Sequence, residues 1–371
     1  MLNIKQKFLK LIISFICLIS VSACNQSDFK NTRGKNLVNI AILLPLSGPE
    51  AELSKEYVKM IKIGLSDSAK TKIRVTTYDS EQQKLNKSLE KIFEQGTDII
   101  IGPIYSETTK TVANKVKGKG TIVLSLSNKP VLADKQVFIY GHAPMRQLEQ
   151  LTNYFLENNY KNYIALLPSG RHSSTVSKIL HDMIESGDGT LAHVEFYNSS
   201  PKDIAGSVHT VSSSVDNFNE NDFNLTQAVI LLADDPATIQ MLYNNARKYK
   251  LDKKAIIAGD SRIDIELSSP VDITFTGSLS IINTDLSVRS KLAGINHISF
   301  MHAIAYDAGK MIGEYIGTGY NKTKFLNKMN STEPFIGISG SIHFIDSIAQ
   351  RQYDIIKKEN SKYQAVSGND N

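Results

Sequence analysis

A chain of 371 residues with 42 lysines and arginines against 37 aspartates and glutamates is too evenly balanced to bind nucleic acid through charge. An apolar fraction of 41% supports a sizeable core, and the length suits two domains of ordinary size. The two cysteines, Cys17 and Cys24, both lie near the start, so no disulfide framework or cysteine metal site is available further on.

The first 23 residues have three parts: Lys5, Lys7 and Lys10, an apolar stretch from Leu11 to Val21, then Ser22 and Ala23. This is the pattern of a secretory signal peptide. The apolar run is well short of the roughly 20 residues that a spanning helix needs. The string Val21-Ser22-Ala23-Cys24 resembles the bacterial lipobox. That resemblance implies a diacylated Cys24 thiol, loss of residues 1–23, and Cys24 as the new first residue. Several acyl chains on one residue tether a protein firmly to a bilayer, so the rest is expected to work outside the cytoplasm. Asn25 follows Cys24, and by the usual sorting rule the lack of Asp there favours the outer membrane over the inner. Setting the three leader lysines aside leaves 39 basic residues (42 less 3) against 37 acidic. Residues 24–37 read as the lipidated cysteine and a polar linker.

Val38 to Leu44 is a near-continuous apolar run, as expected of a parallel strand buried on both faces. Pro45 to Pro49 ends it, and Leu53, Tyr57, Met60, Ile61, Gly64 and Leu65 then recur at helical spacing. Strands are expected at Ile73 to Tyr78, Asp98 to Ile101, Thr121 to Leu126 and Val137 to Tyr140. Helices are expected at Leu85 to Phe93, Thr108 to Lys117 and Gln147 to Leu156. A second series follows: strands at Tyr163 to Leu167, Ala192 to Tyr197, Ala228 to Ala233 and Ala255 to Ala258, with helices at Thr175 to Ile184 and Thr238 to Lys248. Such alternation predicts right-handed βαβ units and enough strands for two parallel sheets. Val215 to Leu225 reads as an exposed loop, the serines at 212–214 as loop sequence, and the tail after Lys357 as polar and disordered.

Several strings resemble the type I periplasmic solute-binding proteins, of which the branched-chain amino-acid receptors are the familiar case. They are "NIAILLPLSGPEAEL", "VTTYDSE", "GTDIIIGPIYSETTKTVA", "GTIVLSLSNKPVL", "VFIYGHAPMRQLEQLTNYF" and "FIGISGSIHFIDSIAQRQYDI". Within that group, "LLPLSGP", "GPIYSETT", "SLSNKP", "YGHAPMRQ" and "ALLPSG" look more like the penicillin-binding-protein activator lipoproteins. The resemblance covers roughly Val38 to Ile356. It implies a two-lobed α/β fold, each lobe a parallel sheet flanked by helices. Lobe one is expected over about 38–141 and 281–331, lobe two over about 142–280 and 332–358, and a polar tail over 359–371. The well-studied activators also carry a helical-repeat N-terminal domain, for which no counterpart is expected in this chain.

In this fold a ligand lies between the lobes at the carboxyl ends of the strands. The resemblance places ligand contacts in lobe one at Tyr105, Ser106, Thr108, Ser125, Ser127 and Asn128. A hydroxyl beside a helix N-terminus makes an anion site, although Ser106 could equally cap the helix that starts there. Lobe two offers Ser169, Arg171, Asp234, Asp260 and Ser261. Amino-acid receptors place an acid near the last of these, where this chain has Ser261, with Asp260 one residue early. Arg171 in a cleft would favour an anionic or extended partner. Asp79 reads as a helix cap more readily than as a ligand, and Arg146 and Gln147 as hinge residues.

No Gly-x-Ser-x-Gly elbow, Walker loop, Gly-x-Gly-x-x-Gly or His-Glu-x-x-His is present, and Asp234-Asp235 lacks the spacing of a calcium loop. No enzymatic activity, cofactor or metal is expected. The expected function is a lipid-anchored periplasmic regulator of a peptidoglycan synthase, a penicillin-binding protein. The alternative is a solute receptor that binds an amino-acid or peptide-like ligand for transport or sensing.

Overall fold

Every residue from Val38 to Leu44 is buried because strand β1 (Leu37–Leu44) faces two different cores. Val38, Ile40, Ile42 and Leu44 point into one cluster and Ala41 and Leu43 into the opposite one. A strand covered on both faces cannot show polar alternation, which explains an apolar run interrupted only by Asn39. The computed structural model describes residues 37–221, 226–232, 236–262, 270–279, 281, 290–291, 293–295 and 298–366. The leader, Cys24, the linker to residue 36, and residues 367–371 of the tail lie outside the described residues.

After β1 come α1 (Ala51–Ser68), β2 (Lys72–Asp79), α2 (Gln82–Glu94), β3 (Ile99–Ile101), α3 (Ser106–Val116), β4 (Ile122–Ser125) and β5 (Val137–Ile139). The chain then enters lobe two with α4 (Pro144–Glu157), β6 (Tyr160–Pro168), α5 (Ser173–Ser186), β7 (Thr190–Tyr197) and α6 (Pro201–Asn221). Lobe two continues with β8 (Thr226–Leu231), α7 (Pro236–Lys248), β9 (Ile256–Gly259) and β10 (Ile273–Gly277). Two helices return to lobe one, α8 (Phe300–Ile316) and α9 (Lys322–Met329), followed by β11 (Phe335–Gly337), β12 (Gly340–Ile345) and β13 (Ile348–Gln352). Strands β14 (Asp354–Glu359) and β15 (Lys362–Ala365) end the described chain.

The first sheet has the order β11-β12-β13-β5-β4-β3-β1-β2 and the second β15-β14-β10-β9-β8-β6-β7. Neighbours β1/β3/β4/β5 and β7/β6/β8/β9/β10 are parallel, as βαβ units require. Both sheets are flanked by helices, the two-lobed α/β arrangement expected. In lobe one the tightest helix pair is α1 on α8. A Cβ at Gly64 would overlap the Tyr306 carbonyl oxygen, and one at Gly309 the Ile61 carbonyl oxygen, so these positions must be glycine for the backbones to approach.

Four expectations are corrected. Residues 335–352, expected in lobe two, belong to the first sheet: β13 pairs with β5 at Ile348↔Ile139, and the Ile139 amide donates to Ser347 O at 2.8 Å. Only β14 and β15 join the second sheet from this stretch, and they do so antiparallel, which no local pattern encodes. The polar tail after Lys357 is in part a hairpin, because β15 pairs with β14 through Ala365↔Ile356 and Lys362↔Glu359. The stretch from Val215 is helical as far as Asn221, and residues 222–225 lie outside the described residues. Ile204, Val208, Val211 and Val215 are all buried on one face of α6, and Ser212 Oγ donates to Tyr249 O at 3.0 Å. The serines at 212–214 are helical residues, two of them bonding back one turn to His209 O and Thr210 O.

Candidate functional site

The loops at the carboxyl ends of β1, β3 and β4 open into a cleft of about 480 Å³. Tyr105 and Ser106 reach it from the start of α3, and Ser127 and Asn128 from the end of β4. Four of the expected ligand residues are thus brought together. Tyr57 of α1, Leu126, and Met301 at the start of α8 complete much of the wall. Glu50 lies at the mouth, where it helps raise the Tyr105 pKa after burial, with Glu81 acting in the same sense. Burial, with Glu50 adding to it, pushes the Tyr57 pKa up to about 12.

The other expected lobe-one residues stand behind the wall. Ser125 is fully buried: its Oγ donates to Pro103 O at 3.0 Å, lies 2.8 Å from Thr109 Oγ1, and accepts from the Ser127 amide at 3.1 Å. Thr109 Oγ1 in turn donates to Tyr105 O at 2.9 Å. These hydroxyls shape the loop after β3 and are not displayed to the cleft. Thr108 is half-buried and off the wall. Ser106 is the first helical residue, Tyr105 is the N-cap, and no side chain caps α3, so the first amides of that helix stay open.

Asp79, expected as a helix cap, instead fastens the loop after β1 to the chain just ahead of α2, whose N-cap is Glu81. The Asp79 carboxylate accepts from the Leu46 and Glu81 amides at 2.9 and 3.1 Å, from Ser47 Oγ at 2.7 Å and from Lys84 Nζ at 3.0 Å. Burial alone would raise its pKa, but these donors hold it down at about 2.

The lobe-two residues are engaged elsewhere. Asp260 is fully buried and grips Arg262 of its own chain, with Nε at 3.0 and 2.9 Å from the two carboxylate oxygens and Nη2 at 2.6 Å from Oδ2. The amide and Oγ of Ser261 donate to Gln147 Oε1 at 3.2 and 3.1 Å. Ser169 is exposed, and its amide donates to Tyr197 O. Arg171 is exposed and has no polar partner among the described residues. None of these four lines the cleft, so the expectation that Arg171 gives it a positive wall is corrected. Asp234 and Cys24 lie outside the described residues.

Between the lobes sits a connected hinge. His142, on the cleft wall, places Nε2 3.2 Å from Gln147 Oε1. Because that oxygen already accepts from Ser261, His142 donates there and Nδ1 is left as an acceptor. Burial pushes the His142 pKa down to about 4, outweighing Asp260 and the Gln147 bond, so the ring is neutral at pH 7. The second crossover is held by Gln150, which donates to Arg351 O and accepts from the Tyr353 amide, both at 3.1 Å. The buried Arg351 guanidinium lies 4.8 Å from the Tyr140 ring centroid, clipping the two crossovers together. Arg146 bridges Glu149 at 2.8 Å and Gln350 Oε1 at 2.9 Å. The motif around "FIGISGS" has a related scaffold role: Asp307 of α8 accepts from the Ile338 and Ser339 amides and from Ser339 Oγ, and a Cβ at Gly337 would overlap its carboxylate.

One group beside the cleft was not singled out from sequence. Glu56 Oε2 lies 3.1 Å from His302 Nε2, and His302 Nδ1 lies 2.8 Å from Ser299 Oγ. The order is that of a serine–histidine–carboxylate triad. The Ser299 amide, however, also donates to Nδ1 at 3.0 Å, closing a capping box at the N-terminus of α8. Both donors compete for one lone pair, so this histidine fixes a helix start and is not free to act as a general base.

Comparison with known proteins follows this geometry. The LppC putative lipoprotein family matches residues 24–299, a span that opens on Cys24. The uncharacterized protein RP748 of Rickettsia prowazekii is 42% identical over 99% of this chain and 100% of its own length. The penicillin-binding protein activator LpoA of Glaesserella parasuis is 28% identical over 42% of this chain but only 26% of its own length. Among solved structures, the LpoA C-domain of Haemophilus influenzae, described as a regulator of PBP1A, superposes with a TM-score of 0.64 at 17% identity, over 89% of this chain and all of that domain. The full-length LpoA of the same organism is covered over 60% of its length, with a TM-score of 0.65 at 16% identity and 91% of this chain matched. An ABC transporter substrate-binding protein from Sphaerobacter thermophilus gives 0.67 at 11% identity, over 90% and 97% of the two chains. The chain belongs to the LppC lipoprotein family, and its fold is that of the type I periplasmic binding proteins.

Proposed function

We propose that this LppC-family chain is a lipid-anchored periplasmic regulator that stimulates a peptidoglycan synthase, a penicillin-binding protein of the PBP1A kind, by binding it. Cys24 carries the lipid, and the outer membrane is the anchoring surface. The observation that carries this reading is the state of the receptor site. The lobe-one hydroxyl Ser125 bonds to its own loop, Asp260 grips Arg262, and Ser261 holds Gln147, so the groups that would clamp an amino acid are satisfied internally. A chain that keeps the two-lobed frame without that clamp has its outer surfaces left for a protein partner. The likeness to LpoA in sequence and in fold supports the same direction. Fold alone does not carry it, because the fold also serves transport receptors.

The test is association of the full chain, in detergent micelles, with a purified bifunctional synthase from the same cell. Saturable binding at micromolar concentration or below is expected. No association with any bifunctional synthase at micromolar concentration overturns the reading. For the anchor, Cys24→Ser is expected to move the chain from the membrane fraction to the soluble periplasmic fraction. Unchanged fractionation removes lipidation from the account.

A further inference from the structure

We propose that the lobe-one cleft binds a small organic cation, a primary ammonium carried on an aromatic or branched apolar stem. This goes beyond the partner-binding reading and stands or falls separately from it. The cleft has the size of a small-molecule site, about 480 Å³. Leu53, Tyr57, Ile104, Tyr105, Leu126 and Met301 give its walls an apolar and aromatic half, and Tyr105 is 44% exposed at the mouth. Glu50 is the one formally charged side chain on the walls among the described residues. Among the described residues no lysine or arginine lines the cleft, and His142 is neutral there.

Three consequences follow from that charge pattern. An anion entering the cleft would touch no cation on its described walls, feeling Arg262 and Arg351 only from behind His142, and would have the N-terminus of α3 to lean on, whose first turn already carries Glu107. A zwitterion would gain at its ammonium and lose at its carboxylate. An ammonium alone can lie over a tyrosine face beside a carboxylate, an arrangement favourable in both respects. Glu50 acts on the hydroxyls of both Tyr57 and Tyr105, so its field reaches both rings. In lobe two, Asp260 does not compete for the ligand, because Arg262 already neutralises it.

The test uses three probes that share one phenol: tyramine (cation), tyrosine (zwitterion) and desaminotyrosine (anion). Their binding to the full chain in micelles at low ionic strength is followed by saturation-transfer NMR. Tyramine is expected to bind at least about threefold more tightly than tyrosine, with desaminotyrosine weakest. Glu50→Gln should erase that order, and Tyr105→Ala should weaken all three. Because the variants sit in the same micelles, partition of tyramine into detergent cancels from the comparison. Three results would each overturn the proposal: no saturable tyramine binding, tightest binding of desaminotyrosine, or an order that Glu50→Gln leaves unchanged.

Discussion

The carboxyl ends of the two parallel sheets use their polar groups differently. In lobe one Ser125 at the end of β4 and Thr109 of α3 turn their hydroxyls inward, to Pro103 O and to each other, while the loops beyond them line a hollow with Tyr57 and Tyr105 on its walls. In lobe two the loop after β9 closes on itself, with Asp260 held by Arg262 and Ser261 by Gln147. Polar residue types at the right ends of the right strands therefore do not make a receptor. What matters is whether their hydrogen-bonding capacity is left for a ligand, and in lobe two it is not.

The largest expected effect breaks the lobe-two half. Asp260→Ala leaves Arg262 without its carboxylate and should cost about 2–4 kcal/mol, the lower end reflecting partial solvent access to the guanidinium. Thermal unfolding measures it. Replacing both partners, Asp260→Leu with Arg262→Met, should recover part of that loss, and no recovery would mean the pair is not the main term. Next in size is Asp79→Asn in lobe one, expected to cost about 1–2 kcal/mol because several donors lose a charged acceptor. The folded pKa of about 2 lies below the unfolded value, so this contribution is complete above about pH 4 and disappears as the pH falls through 2.

A smaller effect separates scaffold from ligand contact. Ser125→Ala should cost about 1 kcal/mol of stability and leave tyramine affinity unchanged. A large loss of tyramine binding would place Ser125 in the site after all. The last effect, negligible at pH 7 and growing only on acidification, is a pH dependence at the hinge. His142 is neutral in the fold down to about pH 4, whereas the unfolded chain takes up its proton near pH 6.5. Stability should therefore fall as the pH drops from about 6.5 to 4, and His142→Gln should flatten that slope in a pH series of unfolding midpoints.

Much of this was legible from the chain itself. The near-continuous apolar run at Val38 to Leu44 identified a strand buried on both faces, and Tyr105, Ser106, Ser127 and Asn128 were found as strand-end residues that meet in space. Pairing over long separations was not legible. Nothing local tells that Ile348 lies beside Ile139, or that Ser261 finds an acceptor at Gln147, 114 residues away. The α6 helix was missed for a different reason: its apolar stripe of Ile204, Val208, Val211 and Val215 is interrupted by serines and asparagines that favour a loop reading. The capping box of Ser299 and His302 was hidden because histidine is not the residue that usually closes one.

The most direct test of the central claim is the rate of glycan polymerisation and cross-linking by the purified bifunctional synthase, measured with increasing amounts of the full chain. The account, which assigns the partner to the outer surfaces, predicts a saturable acceleration that persists in Glu50→Gln. A synthase rate unchanged at saturating chain would contradict it.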